Sequence, residues 1–178
     1  MEKFNFPLQA FAHWVDSTPE KTFLRQPINR VFQEYTFKQA DQEIRKIATA
    51  LNSMGFTNGD HVAILSKNCA HWIMADLAIM MAGCISIPIY PTLGAESIHE
   101  ILVHSESKAI IVGKLDDYSQ QQSGIPEIPT IGVSLYNIKE KYSWEQLVKD
   151  NEPMKGLTEQ DHDKLMTIMY TSGTTGNP

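Results

Sequence analysis

Cysteine and basic residues are both scarce in this 178-residue chain, and each scarcity removes a class of protein. The two cysteines, Cys69 and Cys84, lie in apolar segments and fit neither a metal-ligand spacing nor a redox pair. They read as reduced core residues of a cytoplasmic protein. Fifteen Lys and Arg against 21 Asp and Glu leave a formal charge of -6, which argues against a dedicated nucleic-acid binder. The longest apolar stretch, residues 77–85, is too short to cross a bilayer, and residues 1–7 lack the apolar run of a signal peptide. That leaves room for a peripheral contact with lipid.

What is present suffices for a core. With 42% hydrophobic residues, a domain of this size buries roughly 70% of the surface its unfolded chain exposes. The spacing of Leu8, Phe11, Ala12 and Val15 predicts a first helix that Pro19 closes. Strands at 22–25 and 31–35 around a turn at 26–30 predict a hairpin. Thr36 and Gln39 form a capping box ahead of Phe37, Ala40, Ile44, Ile47, Leu51 and Met54, a helix that Gly55 ends.

Beyond Asn58-Gly59-Asp60 the pattern changes. Short β-branched runs at 61–65, 84–90, 108–112, 130–133 and 165–170 read as strands. Helical segments at 69–82, 95–105 and from Ser143 to about Lys149 lie between them, the last opened by a Ser143/Gln146 capping box. The polar stretch 116–124 reads as a surface helix or loop, and 150–164 as charged and turn-rich. Pro88 needs a place near the end of its strand or a missing ladder bond. This alternation predicts an α/β fold, a mainly parallel sheet with helices on both faces, in one domain over 1–178. Ligands of such sheets bind beyond the carboxyl ends of the strands.

The last strand runs into Tyr170-Thr171-Ser172-Gly173-Thr174-Thr175-Gly176-Asn177-Pro178. Four hydroxyls fall within five positions, and two glycines let backbone amides converge. Fixed hydroxyl and N–H donors are what a polyphosphate needs, and they also stabilise the charge that a leaving pyrophosphate gains. The string is not a Walker-type loop, because only two residues separate Gly173 from Gly176 and no Gly-Lys-Ser/Thr follows. The bland alternative is a flexible Ser/Thr/Gly turn; the length of the string and its place after a strand favour phosphate.

This string resembles the signature of the adenylate-forming, AMP-binding superfamily. Upstream, residues 59–68 resemble the first core strand of that family, and the run from Trp72 to Gly83, residues 87–92 and His104-Ser105-Glu106-Ser107-Lys108 resemble its long-chain fatty acyl-CoA synthetase branch. The resemblance implies a two-step ligase in which a fatty carboxylate attacks Mg-ATP and coenzyme A then displaces AMP. Carried over by position, Thr171, Ser172, Gly173, Thr174, Thr175 and Gly176 would hold the β- and γ-phosphates, with Thr171 also approaching the magnesium ion (Mg2+). Tyr170 would end the strand and pack.

In that family the loop continues with Lys-Gly. The adenine, ribose and metal residues, the catalytic lysine, the acyl tunnel and most of the coenzyme A site all lie downstream. The chain thus looks like the amino-terminal portion of a longer enzyme, cut within its phosphate-binding loop and inactive alone, with no catalytic residue of its own. A sheet that has lost half of its parent would also self-associate through exposed apolar surface. Two alternatives stand beside this: a ligase for another carboxylic acid, and a non-catalytic nucleotide-binding or assembly module.

Other tempting residues have plainer readings. His99 and His104 are five apart, off the spacing for a shared metal on one helix face, and each of the six histidines reads as structural or solvent-facing. Asp76, the one carboxylate of an apolar helix, should cap or pair locally, because an isolated buried charge is costly. Trp72, Met74, Met80 and Met81 read as core.

Overall fold

The computed structural model describes residues 4–171. Helix α1 (Pro7–Ser17) starts with proline in its first turn and buries Leu8 and Phe11. The hairpin strands β1 (Thr22–Ile28) and β2 (Val31–Thr36) outrun the expected bounds, because the turn contracts to Asn29 and Arg30. Both residues are left-handed, with φ of 48° and 69°, the backbone that a two-residue hairpin turn demands.

Helix α2 (Phe37–Ser53) opens with the expected reciprocal cap. Gln39 N donates to Thr36 Oγ1 at 3.2 Å, and Thr36 N donates to Gln39 Oε1 at 2.9 Å. Gly55, at φ 94°, turns the chain away after it.

Five parallel strands follow: β3 (His61–Leu65), β4 (Ile85–Ile89), β5 (Ala109–Val112), β6 (Thr130–Gly132) and β7 (Tyr142–Ser143), in the order β4-β3-β5-β6-β7. Helices α3 (Ala70–Met81), α4 (Ala95–His104), α5 (Ser119–Gln122) and α6 (Trp144–Asp150) lie between or after them, with a 3-10 turn at Ser134–Tyr136. The period of two divides the sheet cleanly. Val62, Ile64 and Ile111 face a core shared with α1, α2, α3 and Trp144, whereas Ala63, Leu65, Ile110 and Val112 face Ile98, Ile101 and Leu102 of α4. The predicted two-sided parallel sheet is what forms.

Three local expectations are corrected. Ser143 Oγ accepts from Gln146 N, but the Gln146 side chain turns to Asp150 at 2.7 Å, so only half of that capping box exists. The segment at 116–124 is not wholly on the surface, since buried Gln121 donates to Pro91 O and Leu93 O and pins the loop after β4. The strand expected over 165–170 is a single bridge between Ser86 and Thr167.

The charged stretch ahead of that bridge is anchored rather than loose. Arg45, held by Asp41 at 2.8 Å, donates to Met154 O, and Gln160 accepts from Leu8 N. These ties carry the chain across the helices and return it to the free edge of β4.

Candidate functional site

Strand order points first to the crevice between β3 and β5. The connection from β3 leads to β4 on one side, and the next crosses back to β5 on the other, a switch point where ligands usually sit. Here the crevice is closed. Gly113 N donates to Leu65 O at 3.0 Å, Lys67 N to Lys114 O at 2.8 Å, and Lys114 N to Ser66 Oγ at 2.9 Å. A Cβ on Gly113 would meet Ser66 Oγ at 2.5 Å. The start of α3 is occupied as well, for Ala70 N donates at 3.0 Å to Gln26 Oε1 from the hairpin.

The free edge of β4 is different. Ser86 N donates to Met166 O at 2.9 Å and Ile168 N donates to Ser86 O at 3.0 Å, a parallel pairing. The next rung would need an N–H from position 88, and Pro88 has none. The other bond of that rung, Tyr170 N to Pro88 O, is not made either among the described residues. Because the pairing is parallel, Tyr170 and Thr171 lie toward the carboxyl end of the sheet.

A cavity of about 150 Å³ opens at this edge, walled in part by Ser66, Asn68, Trp72, Tyr90, Met169 and Tyr170. Met74, Met80 and Met81 are buried as expected, but half-buried Trp72 faces this cavity and is not purely core. Tyr170 packs on the α4 side of the sheet, and its hydroxyl lies 2.7 Å from His104 Nδ1. Thr171 is exposed. Ser172, Gly173, Thr174, Thr175 and Gly176 lie outside the described residues.

Beneath the same edge, burial raises the carboxyl of Asp76, and neighbouring Ser86 tempers that rise. The expected local pairing is not made at Oδ1: among the described residues, neither Asp76 Oδ1 nor the fully buried Ser86 Oγ has a hydrogen-bond partner. Cys84 is buried, and burial pushes its thiol up to about 11; Cys69 is only half-buried, and both are free thiols.

A second, larger cavity of about 410 Å³ lies near β7, beside Tyr35, Glu43, His71 and Trp144. Burial pulls His71 down to about 4, so it is neutral at pH 7 and sits edge-on to the rings of Tyr35, Tyr136 and Trp144. Trp144 Nε1 donates to Glu43 at 2.9 Å, and burial raises that carboxyl. The histidine is buried rather than solvent-facing. No group of three or more His, Cys, Asp and Glu that could hold a metal occurs among the described residues, and no described helix is long and apolar enough to cross a membrane.

A family model described as AMP-binding enzyme matches residues 11–178. The chain belongs to this family. Long chain acyl-CoA synthetase 2 of Arabidopsis thaliana is 28% identical over 97% of the chain, which spans 29% of that relative. Fatty acyl-CoA synthetase A of Dictyostelium discoideum is 32% identical over 80% of the chain and 23% of its own length. Among solved structures, the anthranilate CoA ligase AuaEII in complex with anthranoyl-AMP superposes on the whole chain with a TM-score of 0.84 at 20% identity, and the chain covers 34% of it. The chain therefore spans less than a third of the curated relatives named here.

No sequence signal marked the Gln26 cap on α3 or the contact of His104 with Tyr170, because each pair is brought together only by folding.

Proposed function

We propose that this chain supplies the triphosphate-gripping loop, and the sheet that carries it, to an AMP-forming long-chain fatty acid–CoA ligase. A carboxylate oxygen of the fatty acid attacks the α-phosphorus of Mg-ATP, the α–β bridging oxygen leaves with pyrophosphate, and an acyl-adenylate forms. The thiol of coenzyme A then displaces AMP. Magnesium enters with its nucleotide as part of the substrate. Thr171, Ser172, Thr174 and Thr175 donate hydroxyls to the β- and γ-phosphates, Gly173 and Gly176 let the amides converge, and Thr171 faces the ion. Donors fixed in place stabilise the charge that grows on departing pyrophosphate.

The observation that carries this reading is the hydroxyl-dense string itself, starting at exposed Thr171 on the carboxyl side of β4. The names of the curated relatives support the fatty acyl assignment; the AuaEII complex, at 20% identity, supports only the fold.

The test is ATP–pyrophosphate exchange by the whole polypeptide that carries this chain, with palmitate as the acid. Exchange should depend on the acid, and replacing one loop hydroxyl by alanine should cost about tenfold to hundredfold, the value of a hydrogen bond to a charged group. Exchange with a different carboxylate alone would move the assignment within the superfamily. Absence of exchange with every carboxylate, or full turnover after all four hydroxyls are removed, would defeat it. The 178 residues alone should show no exchange.

A further inference from the structure

The sheet loses a rung where the chain most needs to be aimed. Between the last backbone bond, Ile168 N to Ser86 O, and exposed Thr171, no backbone hydrogen bond among the described residues ties the chain to β4. Pro88 removes one of the two bonds that a parallel ladder would next form, since it has no N–H. A side-chain tie spans the gap. Tyr170 Oη and His104 Nδ1 are 2.7 Å apart, and the two rings meet edge to face with centroids 5.6 Å apart. His104 is itself fixed, as the last residue of α4, whose Ile98, Ile101 and Leu102 are buried against the sheet.

We propose that this hydrogen bond replaces the missing rung, making His104 and Tyr170 positioning residues for the nucleotide loop that begins at Thr171. The inference rests on the adenylate-forming reading above. Neither side chain is asked to touch substrate. Their work is to fix the point and direction at which the chain leaves the sheet, so that the loop donors spend less ordering entropy when triphosphate binds.

The experiment is a double-mutant cycle in the whole polypeptide: His104→Ala, Tyr170→Phe and the pair, assayed by ATP–pyrophosphate exchange. Each single variant should raise KM for ATP by about twofold to tenfold, as expected for one hydrogen bond, with kcat changed less. The double variant should be no worse than the poorer single one. Additive effects, or equal losses in KM for ATP and for the fatty acid, would overturn the proposal, because a merely structural defect is not confined to the nucleotide. A parallel measurement stands apart from catalysis. In the 178-residue chain, hydrogen exchange at the Ile168 amide, which is bonded to Ser86 O, should speed up in both single variants. An unchanged rate overturns the tether even if the parent shows no exchange; a faster rate with a silent parent overturns only the ligase assignment.

Discussion

Two places at the carboxyl ends of this sheet compete for a ligand, and they differ in what happens to their backbone donors. At the switch point between β3 and β5 the amides of Lys67, Gly113 and Lys114 are all spent on the opposite loop, and Gln26 takes the first free N–H of α3. At the outer edge of β4 a proline withholds a donor, the ladder ends, and the chain is released toward solvent. On the proposed reading, strand order alone does not locate the site. A crevice binds only if its polar groups are still unpaired.

The sharpest way to break the contrast is to pry the closed crevice open. Gly113→Ala would place a Cβ 2.5 Å from Ser66 Oγ and 2.8 Å from Ser66 Cβ. The expected cost is about 1–3 kcal/mol, seen as a fall of several degrees in the thermal midpoint, and Ser66→Gly in the same chain should recover part of it. An unchanged midpoint would mean that the two loops are not locked together.

Gln26→Ala should cost somewhat less, about 1–2 kcal/mol by chemical denaturation, because it strips the cap from a buried helix start. At the open edge the sign reverses. Asp76→Asn should stabilise the protein at pH 7 by up to about 1 kcal/mol, for it removes a half-buried charge that has no ion pair. The folded carboxyl titrates above its ordinary value of 3.8, so the wild type gains stability as pH falls through that raised value. Its deficit against the Asn variant should therefore shrink between pH 7 and pH 4. A deficit constant with pH would assign the effect to packing rather than charge.

The smallest effect is expected at Pro88. Restoring an N–H with Pro88→Ala adds a bond of about 0.5–1.5 kcal/mol but returns about 0.4–1 kcal/mol of freedom to the unfolded chain. The two nearly cancel, so stability should barely move. Hydrogen exchange is the discriminating measurement: residue 88 should gain a protected amide bonded to Ile168. Without that protection, the proline is not what ends the ladder.

Much of this was legible beforehand. The capping box at Thr36 and Gln39, the buried run His61–Leu65 and the all-apolar helix over 70–81 each follow from patterns within a dozen or so neighbours, and the parallel sheet follows from their alternation. The Ser143/Gln146 box failed locally, its glutamine taken by Asp150, but the other expectations that failed needed a distant partner. Residues 165–170 have strand character, but they pair with β4 only through the bridge of Thr167 to Ser86, beside a proline far earlier in the sequence. Gln121 looked solvated until the loop at Pro91 and Leu93 offered two carbonyls. Asp76 found no local partner because its neighbours on α3 are apolar and Ser86 does not complete a hydrogen bond with it.

Local chemistry in the chain thus settled which residues become helix, strand and hydroxyl-rich string, since capping, periodicity and side-chain type act over a few residues. Which carboxyl-end crevice stays open was decided only when strands met in a particular order. Hydrogen-bond satisfaction there depends on groups far apart in the chain, and no local pattern records them.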